Sequence, residues 1–425
     1  MIQHALSMMS PQVITWIIAA LATAGVILRP FDWPEAVWAV SGAALLVILR
    51  LLAPMDALTG IGKGTDVYLF LIGMMLLAEI ARQEGLFDYL AAVATRRARG
   101  SGGRLFLLVY GVGTIVTMFL SNDATAVVLT PAVAAAAKTA KAEIPLPYLL
   151  VCAFIANAAS FVLPISNPAN LVIYGNHMPG LLQWLPRYAL PSAVSIVATY
   201  LVLRWTQRDA LRQKIEADVP LPPLSGAGKT AALGIAGTAV VLLTASAFDI
   251  QLGLPTAIAG CATVAIALAR ERKSPWATVK DVSWSVLPLV AGLFVLVEAL
   301  DKSGLIRMIS VSLHDAAERS IAWTTWGVGV ALALACNLVN NLPAGLIAGN
   351  AVQSAHVSEQ VTSAVLVGVD LGPNLSVTGS LATILWLTAL RREGQNVSAW
   401  TFLKLGALVM PAALLPALAT LFLFH

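Results

Sequence analysis

The chain is a succession of apolar runs long enough to cross a bilayer, broken by polar residues at a few recurring places. A hydrocarbon core about 30 Å thick takes roughly 20 apolar residues of helix. That ruler predicts spans at 11–29, 36–53, 66–83, 146–175, 189–206, 230–248, 254–270, 284–300, 360–390 and 400–423. Runs 146–175 and 360–390 are too long and carry polar residues in mid-run, so each reads as a broken helix. Two further stretches, 104–137 and 323–355, are apolar arms about a polar centre: Ser121-Asn122-Asp123 in one, Asn340-Asn341 in the other. Their second arms are short, which predicts re-entrant hairpins. Polar backbone at membrane depth is tolerated only where protein buries it or a cavity receives it. Segments 86–100 and 305–320 are amphipathic and predict helices lying in the headgroup plane.

The order of elements repeats. A shift of 219 residues lays Val67 on Val286, Gly73 on Gly292, Leu77 on Leu296, Glu79 on Glu298, Gly85 on Gly304 and Asn122 on Asn341. The apolar matches mean little in so apolar a chain. An intramembrane Glu and a hairpin-tip Asn at one offset mean more. Further on, a shift of 213 lays Ile165–Asn170 over Thr378–Thr383. The chain therefore divides into a first repeat, 11–206, a polar linker, 207–229, and a second repeat, 230–423. Each repeat holds five spans and one hairpin. A hairpin returns to its own side and five is odd, so the repeats are inverted in the membrane, a pattern of secondary transporters with discontinuous helices at the midplane.

Composition agrees with an all-α integral membrane protein: 58% hydrophobic and 11% charged over 425 residues, against about 45–50% and about 25% in soluble domains. The net charge of +4 matters less than its placement. Twenty of the 26 Lys and Arg fall on the linker side, with clusters at Arg96, Arg97 and Arg99 and at Arg391 and Arg392. Arg50, Lys63, Arg187, Lys302, Arg307 and Arg319 fall on the other side. The positive-inside rule makes the linker cytoplasmic and places both termini on the outer, periplasmic face of a cell inner membrane. The opening MIQHALSMMS lacks the basic residues of a signal peptide, so the first span is expected to remain in the protein.

Four carboxyl groups fall within apolar stretches: Glu79, Asp123, Glu298 and Asp370. Ionisable groups inside the bilayer are expensive and mark function. Asp123 at a hairpin tip and Asp370 at a helix break, in opposite repeats, are the candidates for proton coupling. Glu79 and Glu298, near span ends, read first as interface anchors or inter-helix partners, and with Ser121 they form a secondary set. Around them lie the candidates for substrate binding: Asn122, Ser166, Asn167 and Asn170 from the first repeat, and Asn340, Asn341, Thr378 and Ser380 from the second. Pro164, Pro168, Pro343 and Pro373 help break the helices. The breaks free N–H and C=O groups. Such a pocket suits a small, polyhydroxylated or oxygen-rich solute.

Other features exclude other chemistry. Cys152, Cys261 and Cys336 have no metal or disulfide spacing, and no His sits at ligand spacing. PLSGAGKT at 223–230 lacks the first Gly of a phosphate-binding loop. No cofactor, nucleic acid or enzymatic nucleophile–base pair is indicated.

The motifs MFLSNDATAVVLTP, FIANAASFVLPISNPANLVIYG, NLVNNLPAGLIAG and VDLGPNLSVTGSLATILWL resemble those of arsenite/antimonite efflux permeases of the ArsB type, in the ion-transporter superfamily. The resemblance runs over nearly the whole chain and implies inverted repeats, two hairpins and two broken helices. It further implies export of trivalent arsenic or antimony hydroxide against inward proton flow, by a permease working alone or with a soluble ATPase subunit. Dicarboxylate carriers of the superfamily have Ser-Asn-Thr at their hairpin tips. The added Asp123 here, and the lost hydroxyl in Asn340-Asn341-Leu342, speak against a dianionic substrate and for proton coupling. The alternative is a sodium/proton or other ion antiporter on the same scaffold.

Overall fold

The computed structural model describes residues 10–423, the side chain of Asn176 excepted. The expectations that the first nine residues form no leader, and that residues 1 and 425 face outward, lie outside the described residues.

The first repeat runs through α1 (Pro11–Leu28), α2 (Glu35–Ile48), α3 (Pro54–Lys63), α4 (Thr65–Gln83) and α5 (Leu86–Arg97). The first hairpin follows. Its rising arm is α6 (Gly102–Phe119), and its returning arm is α7 (Asn122–Ala124), a π-helical turn (Thr125–Leu129) and α8 (Thr130–Thr139). The broken span α9 (Leu146–Ala158) and α10 (Pro168–Tyr174) leads into α11 (Leu181–Thr206). The second repeat has the same order. It comprises α12 (Gly226–Ala247), α13 (Gly253–Glu271), α14 (Pro275–Asp281), α15 (Val286–Lys302) and α16 (Leu305–Arg319). The hairpin α17 (Ile321–Val339) and α18 (Asn341–Ala355), the broken span α19 (Glu359–Leu371) and α20 (Leu381–Arg392), and α21 (Ala399–Thr420) complete it.

The repeat is visible in backbone detail. Gly85 and Gly304 open α5 and α16 at φ 72° and 86°, a left-handed conformation that glycine adopts without penalty. Ser101 and Ser320 cap α6 and α17, each accepting from the backbone N–H three residues on at 3.3 Å. The pre-break helices α9 and α19 have 13 residues each.

The two repeats are exchanged rather than merely abutted. Helix α2 packs on α15 and α13 packs on α4, while α10 lies against α18 and α20 against the π-helical turn and α8. Helices α11 and α21 cross on each other. The α4–α13 crossing is a backbone-to-backbone contact. A Cβ on Gly73 would stand 2.2 Å from the Thr256 carbonyl oxygen, and one on Gly260 would stand 2.6 Å from that of Gly73. In lipid, helix association relies on such close packing of small residues.

Four expectations about segment limits need correction. The returning arm of the first hairpin extends to Thr139 and is as long as the rising arm, because the Ala-rich run continues the helix beyond the strongly apolar part. Helix α11 starts at Leu181 rather than 189 and passes through Pro186 and Pro191, which neighbouring helices allow in membrane segments. Helix α12 starts at Gly226, since the Ser225 hydroxyl accepts from Gly228 N at 2.8 Å and caps it. The segments before α4 and α15, left out of the predicted spans, are the short helices α3 and α14, bent 48° and 42° to the spans that follow. Each opens on Pro, whose missing N–H costs nothing in a first turn.

Length alone leaves the hairpins ambiguous, because α6 and α17 are long and apolar enough to cross a membrane. Their tips stop at the depth of the helix breaks, where Asn341 N donates to Gly379 O at 2.9 Å. The linker is fastened rather than loose. Ile215 N donates to Gly100 O and Glu216 N to Ala140 O, at 3.1 and 2.8 Å. At the same face Glu84 accepts from Ser225 Oγ at 3.1 Å and from Lys273 Nζ at 2.7 Å. That hydrogen bond to the Glu84 carboxylate holds the Lys273 ammonium above its ordinary pKa.

Candidate functional site

Each break contains proline, which cannot extend the helical ladder: Pro164 and Pro168 in the first repeat, Pro373 in the second. In the first repeat Pro164 and Pro168 bracket an extended Asn167 at φ −150°, whose side chain then caps α10 by accepting from Ala169 N at 3.0 Å. In the second repeat Ser380 takes the same place, extended at φ −142° and accepting from Thr383 N at 3.1 Å. The hairpin tips turn through Ser121 (φ 152°) and Asn340 (φ 70°). Non-glycine residues in that region are strained and persist where their surroundings over-determine them. The π-helical turn right after the first tip is another irregularity that concentrates at functional sites.

These four points converge. Asn122, Asp123, Asn167, Asn341 and Ser380 line one narrow cavity, closed on its apolar side by Leu71, Val286 and Leu289. No Lys, Arg or His is among its described lining residues. The Asp123 carboxylate and the Asn341 amide have no side-chain hydrogen-bond partner among the described residues, so both are available to a solute. Asp123, Leu71 and Val286 also line a vestibule of about 1340 Å³ that runs past Ser121 to Glu79, Arg82, Asp281 and Arg392. Because the α4 terminus carrying Arg82 touches the linker through Glu84, the cavity opens toward the linker face.

The breaks also grip each other across the repeats. Asn167 Nδ2 donates to Asp370 Oδ1 at 2.5 Å. Asn157, the residue that a shift of 213 lays on Asp370, accepts from Ser380 Oγ at 3.4 Å. It also donates to Asn374 Oδ1 at 3.0 Å. Thus the last helical turn before each break holds the cap residue after the other break. The two grips differ in the accepting group, an amide in the first repeat and a carboxyl in the second, and in the cap that each one holds, the Ser380 hydroxyl and the Asn167 amide. Asp123 is likewise unmatched, its counterpart being Leu342.

The remaining residues singled out from sequence serve the frame. Ser166 Oγ donates to Met118 O at 3.0 Å, joining the break to the hairpin. Asn170 Nδ2 donates to Ser160 O at 2.9 Å, and Asn340 Nδ2 to Thr378 O at 3.3 Å. Thr378 Oγ1 donates to Asn337 O at 3.0 Å. Carbonyls freed by a broken helix need donors, and these side chains supply them instead of facing the cavity. Glu79 accepts from Arg82 and Gln83 at 2.5 and 2.8 Å. Glu298 accepts from Lys63 Nζ at 2.6 Å. Both pairs lie at span ends. Asn337, passed over in the sequence, ties the second hairpin to its break, donating to Gly372 O at 3.1 Å and accepting from Ser376 Oγ at 2.7 Å. Its signal was its place one turn before the Asn340-Asn341 tip.

Two hairpin tips and two helix breaks around a buried polar cavity that opens to one face define a secondary transporter, a multi-pass integral membrane protein and not an enzyme. The sequence profile of the CitMHS citrate transporter family matches residues 13–369, and the chain belongs to that family. Among its relatives, the arsenical pump membrane protein of Yersinia enterocolitica is 26% identical over 361 residues, covering 82% of this chain and 84% of that one. The arsenical pump membrane protein of Escherichia coli K12 is 25% identical over 394 residues, covering 90% and 92%. An uncharacterized transporter of Mycobacterium tuberculosis is 25% identical over 405 residues, covering 91% and 92%. The fold is that of the Alcanivorax borkumensis YdaH transporter, with TM-score 0.58, 17% identity and 88% of each chain covered. It is also that of Neisseria gonorrhoeae MtrF, with TM-score 0.54, 12% identity, and 97% and 95% covered.

Proposed function

We propose that this transporter exports trivalent arsenic or antimony as the neutral hydroxide, in exchange for protons. The observation that carries the reading is the cavity wall: amides and a hydroxyl from both repeats, one carboxyl and no cation. Arsenous acid is uncharged at neutral pH and presents three hydroxyls, which such a wall can hold and release. A citrate anion, the solute in the family's description, would meet the Asp123 carboxylate with nothing to offset it. The arsenical pump relatives support the same solute.

In this reading Asn122, Asn167, Asn341 and Ser380 touch the solute. Ser166, Asn170, Asn340 and Thr378 hold the loops that present them. Asp123 and Asp370 carry protons, and Glu79, Glu298 and Ser121 stand at the approaches. A neutral solute gains nothing from the membrane potential, whereas each entering proton brings about 2.3 kcal/mol per 100 mV. The proton gradient supplies the driving force in this reading, whether the permease works alone or with a soluble ATPase subunit. The repeats are 11–206 and 230–423, with the linker, 207–229, cytoplasmic.

Flux into proteoliposomes tests the substrate: a pH gradient drives arsenite accumulation, and neither citrate nor sodium replaces arsenite in moving protons. Citrate uptake without arsenite uptake, or sodium-linked proton movement alone, rejects the proposal. Asn122→Ala and Asn341→Ala are each expected to weaken arsenite binding by about 1–3 kcal/mol, the cost of a buried partner left unpaired, with near-normal expression. Wild-type affinity in both would move the site elsewhere. For orientation, Asp209→Cys in the linker and Asp315→Cys in α16 are both exposed. An impermeant thiol reagent should label Asp315→Cys in intact cells and Asp209→Cys only after permeabilisation; the reverse pattern inverts the assignment.

A further inference from the structure

Asp370 is the carboxyl that the vestibule does not reach. It is fully buried, with its Oδ1 held by Asn167, and it lines neither the cavity nor the vestibule. Its Oδ2 has no hydrogen bond of ordinary geometry among the described residues, although the Ser160 hydroxyl stands beside the carboxyl, and the buried Oδ1 of Asn170 on α10 has none either. What lies beyond these two oxygens runs the other way, toward the face opposite the linker. One face of α19 carries Glu359, Ser363 and Asp370, spaced so that they stack along the helix. The facing wall is built from the first repeat: Asn167, Asn170 and Tyr174 up α10, then Arg187 and Tyr188 on α11.

Contacts join the two walls. The hydroxyls of Tyr174 and Tyr188 are hydrogen-bonded. Tyr188 donates to Ser363 Oγ at 3.1 Å. At the outer end Arg187 pairs with Glu359 at 2.5 Å, Glu359 being largely exposed. Tyr188 and Ser363 are fully buried and Tyr174 nearly so. Arg187 and Glu359 are the charged groups facing the tyrosines, and Cys336 of α17 lies beside Asp370 with its thiol on Val369 O at 3.8 Å. No such chain exists in the other repeat, where Leu387 stands in the place of Tyr174.

We propose that this seam is the route by which protons reach Asp370 from the face opposite the linker, separate from the solute's path through the vestibule. It rests on the proton-exchange reading of the site. A proton from the outer solution enters at Tyr174, near the Arg187–Glu359 pair. Tyr174 passes its own proton to Tyr188, Tyr188 to Ser363, and Ser363 through water to Asp370. Each hydroxyl gains one O–H bond as it gives up another and so stays neutral. The net change is one proton taken from the outer solution and one O–H bond made on the Asp370 carboxylate. Rotation of the hydroxyls then resets the chain. Tyr174 lies one turn of α10, about 6 Å, from Asn170, and Ser363 lies about 10 Å along α19 from Asp370. The route requires water to enter the gap between Ser363 and Asp370 during the cycle, where the unpaired oxygens of Asp370 and Asn170 would receive it.

The test is the double variant Tyr174→Phe/Tyr188→Phe, with Ser363→Ala beside it, in proteoliposomes containing a pH dye. Phenylalanine keeps the ring packing on Trp184 and Phe161 and removes only the hydroxyls. The expected result is at least a tenfold slower arsenite-linked proton flux and pH-driven accumulation. Arsenite counterflow at equal pH, which needs no net proton transfer, should stay within about twofold of wild type. Wild-type proton flux in the double variant overturns the route, and so does an equal fall in flux and counterflow, which marks a packing role. If wild-type protein shows no arsenite-linked proton movement, the exchange reading fails and the route falls with it.

Discussion

Replacing Asp370 with asparagine is expected to abolish pH-driven uphill arsenite export while leaving downhill arsenite movement measurable. The site already shows that an amide fits this geometry. Asn157 occupies the corresponding place in the first repeat and accepts from the Ser380 cap. The substituted amide would retain an acceptor for Asn167 Nδ2, so the grip between the breaks persists, and only the ability to take up a proton is lost. Asp123→Asn is expected to act alike from the cavity side, where its counterpart Leu342 shows that the tip does not need a charge to fold. The measurement is arsenite flux in proteoliposomes with and without an imposed pH gradient. If both variants still concentrate arsenite in response to the gradient, neither carboxyl is the sole proton carrier, and Glu79 and Glu298 become the next to test.

Gly73→Val and Gly260→Val should each cost the fold about 3 kcal/mol or more. At the α4–α13 crossing a single added Cβ lands 2.2 Å from a backbone carbonyl at Gly73, and 2.6 Å from one at Gly260. Neither neighbour is a flexible side chain that can turn aside, so the two helices must separate. Because α4 belongs to the first repeat and α13 to the second, the separation disrupts the joint between them. A sharp fall in the yield of monodisperse protein and in its unfolding temperature is the expected outcome. Ala at Gly237, where an added Cβ meets nothing, serves as the control. Wild-type stability in the Gly73→Val protein would show that the crossing is looser than its geometry implies.

Much of this architecture was legible in the chain because it is written locally. Hydropathy over about 20 residues is set by the bilayer's thickness, so the spans are readable without knowing any partner. The broken helices announced themselves through Pro164, Pro168 and Pro373, whose effect on a helix acts within one turn. The paired Glu79/Glu298 and Asn122/Asn341 at one offset disclosed two related halves, and the odd number of spans in each implied their inversion. The helices α5 and α16 followed from the spacing of their charged and apolar residues, and both form as helices.

What the sequence could not settle was which polar side chain faces the cavity and which faces backbone. Asn122 and Asn170 look alike along the chain. One lines the cavity, while the other satisfies carbonyls freed by its own break. The choice depends on where loosened backbone ends up in space. Nor could a linear reading find that Asn167 reaches Asp370 across more than two hundred residues, or that Asn157 makes the mirror contact. Tyr174, Tyr188 and Ser363 had no motif to mark them, because their chain exists only where α10, α11 and α19 meet. Even the hairpins, whose first arms are long enough to cross a membrane, are settled by contact, as Asn341 stops at Gly379. Local composition and period determined which segments enter the bilayer and where they break. Only tertiary packing, which pairs residues distant in sequence and decides which freed backbone groups need a donor, determined the site, the direction in which it opens and the seam behind it.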